Sequence, residues 1–190
     1  SPAPDALSAL GNFDGISYAK GASVLRQLIA HIGDDAFVAG VRDYLHAHQL
    51  GNGELAEFLA AMESASGSTL SAWADAWLRT SGADLIGVDG SGRLTRRVPP
   101  GHPAARPHTL DVAAFAGGAE VLREPVVLEG GAGGARLDGV AELPAGAIVV
   151  PNAGDLTWAE VTLDPATRDR LAAELATVPD ASARSVVWVS

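Results

Sequence analysis

The sequence predicts an α+β chain: an α-helical N-terminal segment, then an antiparallel β-sandwich, then a short C-terminal return to helix. Three observations support this. Apolar residues as far as position 82 recur at helical spacing. After Gly82 they fall into short runs bounded by Gly, Pro or Asn. Past Asp164 the helical spacing resumes. The expected units are 1–82, 83–163 and 164–190.

Four apolar stripes mark the helices. The first is Val24, Leu25, Leu28, Ile29 and Ile32, and the second is Phe37, Val38, Val41, Tyr44 and Leu45. The third is Leu55, Phe58, Leu59 and Met62, and the fourth is Leu70, Trp73, Ala74, Trp77 and Leu78. Each stripe ends near a glycine (Gly33, Gly51, Gly67, Gly82), the residue that takes a left-handed stop without a Cβ clash. Asp34, Asn52 and Thr69 or Ser68 are the expected N-caps.

The expected strands are 85–88, 93–98, 109–115, 119–122, 126–129, 135–140, 147–150 and 158–163. Gly117-Gly118 suits a two-residue hairpin turn. The proline-rich stretch 99–103 cannot donate to a ladder and must be irregular. Asp164 then caps a helix with Pro165 at its first position and Leu171 and Leu175 on its buried edge. A further helix starts over 181–188.

Composition narrows the function. The 190 residues are 47% hydrophobic and 19% charged, a globular balance with enough chain for a core. Cysteine is absent, which excludes disulfides, thiolate metal sites and a Cys nucleophile. The net charge of −10 argues against nucleic acid as a partner. Mean hydropathy is +0.16, and no apolar run approaches the roughly 18 residues of a membrane span. The N-terminus has no signal-peptide pattern, so a soluble protein of a reducing compartment is expected. Of thirteen Lys and Arg residues only Lys20 is a lysine, which with the abundant Ala and Gly suggests a GC-rich genome.

Candidate chemistry is sparse. The histidines are His31, His46, His48, His102 and His108, with no H-E-x-x-H run. His46 and His48 stand two apart and do not share a helix face. The glycine run 130–134 lacks the Lys-Ser/Thr of a phosphate loop and precedes a strand, so it reads as a hairpin loop. Asp34 and Asp35 at a helix start complement its dipole. Ser17, Ser23 and Ser71 have neither a G-x-S-x-G setting nor a local base. The run Asn12–Ala22 (NFDGISYAKGA) differs from these. It reads as a loop opening a helix, with Tyr18 near the start. There a phenol is either a packed structural aromatic or a donor aimed at developing negative charge.

Residues 12–52, NFDGISYAKGASVLRQLIAHIGDDAFVAGVRDYLHAHQLGN, resemble the M1 family of zinc aminopeptidases, the aminopeptidase N group, downstream of its zinc motif. Leu70, Trp73, Trp77, Leu78 and Gly82 match that family's "L…W…WL…G" helix. The stretch from Ala105 to Glu160 is similar to the β-sandwich domain of actinobacterial aminopeptidases N, and Arg184–Trp188 resembles the start of their C-terminal helical domain.

The resemblance implies that residues 1–82 are the end of a thermolysin-like catalytic domain. It implies a cytoplasmic enzyme that removes N-terminal amino acids from peptides. In such enzymes a zinc-bound water attacks the scissile carbonyl with a Glu as base. The tyrosine of I-S-Y-x-K-G, here Tyr18, donates a hydrogen bond to the resulting oxyanion. Lys20 and Gly21 support the junction of loop and helix. The family's zinc ligands, base and substrate loop lie upstream of this segment and are not among these residues. The expectation is therefore a chain truncated at both ends, with zinc in the parent enzyme, none bound here, and no activity alone. Helices deprived of their partner surface are expected to expose an apolar patch near Tyr18 and to favour self-association. Two other readings are a non-catalytic interaction module of the same architecture and a small Ser or Asp hydrolase.

Overall fold

A computed structural model describes Leu7, residues 15–131 and residues 133–188, with only the backbone of Gly15–Ser17. Four helices come first: α1 (Gly15–Ile32), α2 (Asp34–Ala47), α3 (Leu55–Ser66) and α4 (Ser71–Leu78). Val24 and Leu28 of α1, Met62 of α3, and Leu70, Trp73, Ala74 and Trp77 at α4 form their common core. Phe37, Val41, Phe58 and Leu59 pack around it. Leu25 of the expected α1 stripe is instead 45% exposed, because it lies about 100° round the helix from Val24. Gly40 lets α2 and α3 close up, since a Cβ there would stand 2.8 Å from Met62 Cε.

The helix starts differ from the sequence reading. Gly33, not Asp34, precedes α2, and Asp34 and Asp35 fill its first turn. Helix α3 starts at Glu54 rather than Asn52, with the Glu57 carboxylate accepting the Glu54 N–H at 2.7 Å. Helix α4 starts at Leu70, whose N–H is taken by Glu63 of the preceding helix rather than by Thr69 or Ser68. In both of these starts a glutamate from the helices themselves does the work of a short polar cap.

Two sheets follow. One runs β5 (Gly134–Arg136), β2 (Arg93–Arg97), β1 (Asp84–Val88), β7 (Ala159–Thr162). The other runs β4 (Ala119–Leu128), β3 (His108–Ala116), β6 (Ile148–Pro151). Pairing is antiparallel except for β1 with β7, where Leu85 faces Glu160 in a parallel register. Strand β4 unites two expected strands through Pro125, which an edge strand tolerates. The expected 135–140 strand ends at Arg136 and passes into a 3-10 turn at Gly139–Glu142. Gly117 and Gly118 join β3 to β4 with φ of 57° and 79°, as a tight hairpin turn requires.

Ile86 and Leu94 of one sheet meet Leu110, Val112, Val126 and Leu128 of the other. Ala113 and Phe115 point the opposite way and, with Ile148 and Val150, pack on α5 (Pro165–Glu174) and α6 (Ala181–Trp188). Strand β3 is thus covered on both faces. Asp164 accepts from the Thr167 N–H at 3.0 Å, with Pro165 following, so α5 begins as its sequence indicates. No described helix is long and apolar enough to cross a membrane.

Candidate functional site

Tyr18 sits in the first turn of α1 and is 64% exposed. Asn12, Phe13 and Asp14 of its motif, and the Ser17 side chain, lie outside the described residues. Two positions on, Lys20 lies about 200° round the helix and turns inward. Its Nζ donates to the Thr80 carbonyl at 2.7 Å, just past the end of α4. Burial, and then the charge of Arg106, hold the Lys20 ammonium below its ordinary pKa.

Beneath Thr80 is a buried polar junction. The Thr80 hydroxyl donates back to the Ala76 carbonyl. It accepts from Arg106 Nε at 3.1 Å and Nη2 at 2.7 Å. Arg106 Nη2 also donates to the Ser81 carbonyl at 2.6 Å, and Nη1 to Asp84 Oδ1 at 3.0 Å. The guanidinium lies 5.9 Å from the centre of the Trp77 ring. The other Asp84 oxygen meets His108 Nε2 at 2.7 Å, and His108 Nδ1 meets Thr157 Oγ1 at 2.8 Å. Arg106, Asp84 and His108 are each 0% exposed. Burial is the largest cause holding His108 below its ordinary pKa; Asp84 opposes it, and Arg96 and Arg106 add to it. A neutral imidazole follows, with Nε2–H donating to Asp84 and Nδ1 accepting from Thr157.

Thr157, His108 and Asp84 have the connectivity of a nucleophile, base and acid. No substrate can reach them, since Thr157 is only 2% exposed. The three tie β1, β3 and the segment before β7 together, and the link to the helices runs through Arg106 to Thr80 and through the edge of the His108 ring against Trp77. Two further ties join α1 to the sandwich. Gln27, fully buried, bonds the backbone of Thr109, and Arg26 Nη2 donates to the Gly154 carbonyl at 2.8 Å.

Among the described residues no three His, Asp or Glu side chains converge as metal donors. The histidines are dispersed. His31 stacks on Trp73, His46 pairs with Gln49, His48 faces Tyr44 and Glu57, and His102 bonds Ser81. The described side chains therefore do not fit the zinc site that the family resemblance implies.

Asp84, Thr80 and Gln27 drew no notice in the sequence. One signal was present: Arg106 and His108 flank Pro107 at the mouth of a strongly apolar strand. A guanidinium so placed needs a buried counter-charge, but that partner, Asp84, is remote in sequence.

Residues 7–77 match the model of the peptidase family M1 domain. The chain is 34% identical to aminopeptidase N of Streptomyces lividans over 212 residues, covering 98% of this chain and 24% of that protein. It is 35% identical to glutamyl aminopeptidase of Bos taurus over 109 residues, 56% of this chain and 11% of that protein. A crystal structure of Legionella pneumophila aminopeptidase A in complex with aspartic acid aligns with a TM-score of 0.69. The alignment covers 92% of this chain and 21% of that one at 14% identity, a likeness of fold alone. The chain spans about a quarter or less of the length of these relatives.

Proposed function

Because this chain belongs to the M1 peptidase family, we propose that it forms part of a zinc-dependent aminopeptidase in which Tyr18 stabilises the oxyanion. The position of Tyr18 carries this reading. It is exposed on the first turn of α1, inside I-S-Y-x-K-G and within the family match. The backbone dipoles of that helix end favour negative charge beside it. When the peptide carbonyl nearest the substrate's N-terminus is attacked, its oxygen becomes an anion, and the phenol O–H donates to it. A donor held in place contributes about 3–4 kcal/mol to lowering such a barrier. Zinc, when bound, supplies Lewis-acid polarisation. Among the described residues no three His, Asp or Glu side chains converge to hold it, so on this reading its ligands come from elsewhere in the enzyme.

The test is Tyr18→Phe in the whole enzyme. It removes one hydroxyl and leaves the ring. The kcat is expected to fall by about 10²–10³-fold, with zinc content and melting temperature unchanged. Near-normal turnover would overturn the role.

A further inference from the structure

We propose, building on the role given to Tyr18 above, that Lys20 is a positioning residue for that tyrosine and that Arg106 of the sandwich sets its place through Thr80. The first turn of a helix lacks internal partners for its N–H groups and is the part that opens most readily. The position of a phenol carried there depends on the position of the turn. A misplacement of about 1 Å can cost about a hundredfold in rate. The turn therefore needs an anchor outside its own helix.

Lys20 is that anchor. It stands two residues after Tyr18, at the start of the second turn of α1, and its charge-assisted bond to the Thr80 carbonyl spans 60 residues of sequence. Thr80 does not hang loose. Its hydroxyl is held by Ala76 and by two nitrogens of Arg106, and the neighbouring Ser81 carbonyl takes a third bond. Arg106 cannot move independently, because Asp84 is its buried counter-charge and His108 and Thr157 complete the array. A buried guanidinium that shifts leaves donors and a carboxylate unpaired, so the array has one low-energy arrangement. Position is thus passed from the sandwich, through Arg106, Thr80 and Lys20, to the turn that carries Tyr18.

The ammonium is not there for its own stability. Burial and the nearby Arg106 both disfavour its charge. It is also the single lysine of the chain, and its compact head suits one carbonyl better than a guanidinium fork does.

A double-mutant cycle in the whole enzyme tests this. Lys20→Met keeps the aliphatic stem and removes the bond to Thr80. It is expected to lower kcat by about 10- to 100-fold with KM and melting temperature little changed. In the Tyr18→Phe background the same change is expected to lower kcat less than twofold, because the group it positions is gone. An equal loss in both backgrounds, or no loss in either, would overturn the positioning role while leaving that of Tyr18 standing. Full activity of Tyr18→Phe alone would overturn both. Arg106→Lys keeps the buried charge but loses the fork, and its effect on kcat is expected not to add to that of Lys20→Met. If that variant fails to fold, the Lys20 and Tyr18 cycle still decides the matter.

Discussion

The Gln27 carboxamide grips the Thr109 backbone with two hydrogen bonds: its Nε2 donates to the carbonyl at 2.9 Å and its Oε1 accepts the N–H at 3.0 Å. A side chain on α1 thus supplies to β3 what a neighbouring strand supplies elsewhere in a sheet. Gln27→Met leaves both backbone groups without that partner, at about 1–3 kcal/mol each. Loss of about 2–4 kcal/mol is expected in urea unfolding. Gln27→Glu keeps the acceptor and sets a carboxylate against the Thr109 carbonyl, so this variant should regain stability as the pH is lowered through the carboxyl range. A flat profile would argue against the paired geometry.

His108 gives the fold a dependence on acid. Its native pKa is held below the ordinary 6.5, so between those two values the unfolded chain binds a proton that the native one refuses. Its share of stability is complete above about pH 6.5 and is lost as the pH falls toward the native value. The slope is at most about 1.4 kcal/mol per pH unit for one proton. His108→Gln should flatten this part of the profile. Identical slopes in the two proteins would show that His108 is not its source.

The glycine run between β4 and β5 has two kinds of position. A Cβ on Gly134 would overlap the Leu94 carbonyl oxygen, and one on Gly130 the Ala105 carbonyl oxygen, while Gly133 has open space. Gly134→Ala and Gly130→Ala are expected to cost about 1–3 kcal/mol, and Gly133→Ala less than about 0.5 kcal/mol. Denaturant midpoints for the three variants check this order.

Arg123 on β4 gathers Asp111, Glu120 and Asp180, and Asp180 also accepts the Ser182 and Ala183 N–H groups at the start of α6. Arg123→Met leaves three carboxylates facing one another. Its cost should exceed the roughly 1 kcal/mol of an exposed isolated pair. The cost should shrink in high salt, which screens the repulsion left behind. A salt-independent loss would mean that packing of the arginine stem, not charge, holds α6 in place.

The helices and most strands were legible because their signals are local. The stripe of Leu70, Trp73, Ala74, Trp77 and Leu78 repeats at helical period, and all of it except Leu78, which is 41% exposed, is buried as one face. Asp164 and Pro165 mark a helix start that needs nothing beyond the next turn. The hairpin at Gly117 and Gly118 follows from positive φ at two adjacent residues. The starts of α3 and α4 differ from the local pattern where a glutamate replaces the short polar cap. Glu63 reaches Leu70 from the preceding helix, seven residues back and outside the three-residue span of a capping pattern. The parallel register of β1 with β7 was hidden for a similar reason. The pairing joins segments about 75 residues apart, and periodicity says nothing about direction.

The sequence by itself determined the order of elements, the absence of cysteine chemistry and, by resemblance, the family and the candidate Tyr18. Only the tertiary structure decided what lies behind that tyrosine. Lys20, Thr80, Arg106, Asp84, His108 and Thr157 come from helix, loop and strand and are scattered over 138 positions. The physical reason is desolvation. An arginine or a histidine reads as a surface residue until its surroundings exclude water, and its charge or tautomer is then set by partners that folding alone brings within 3 Å.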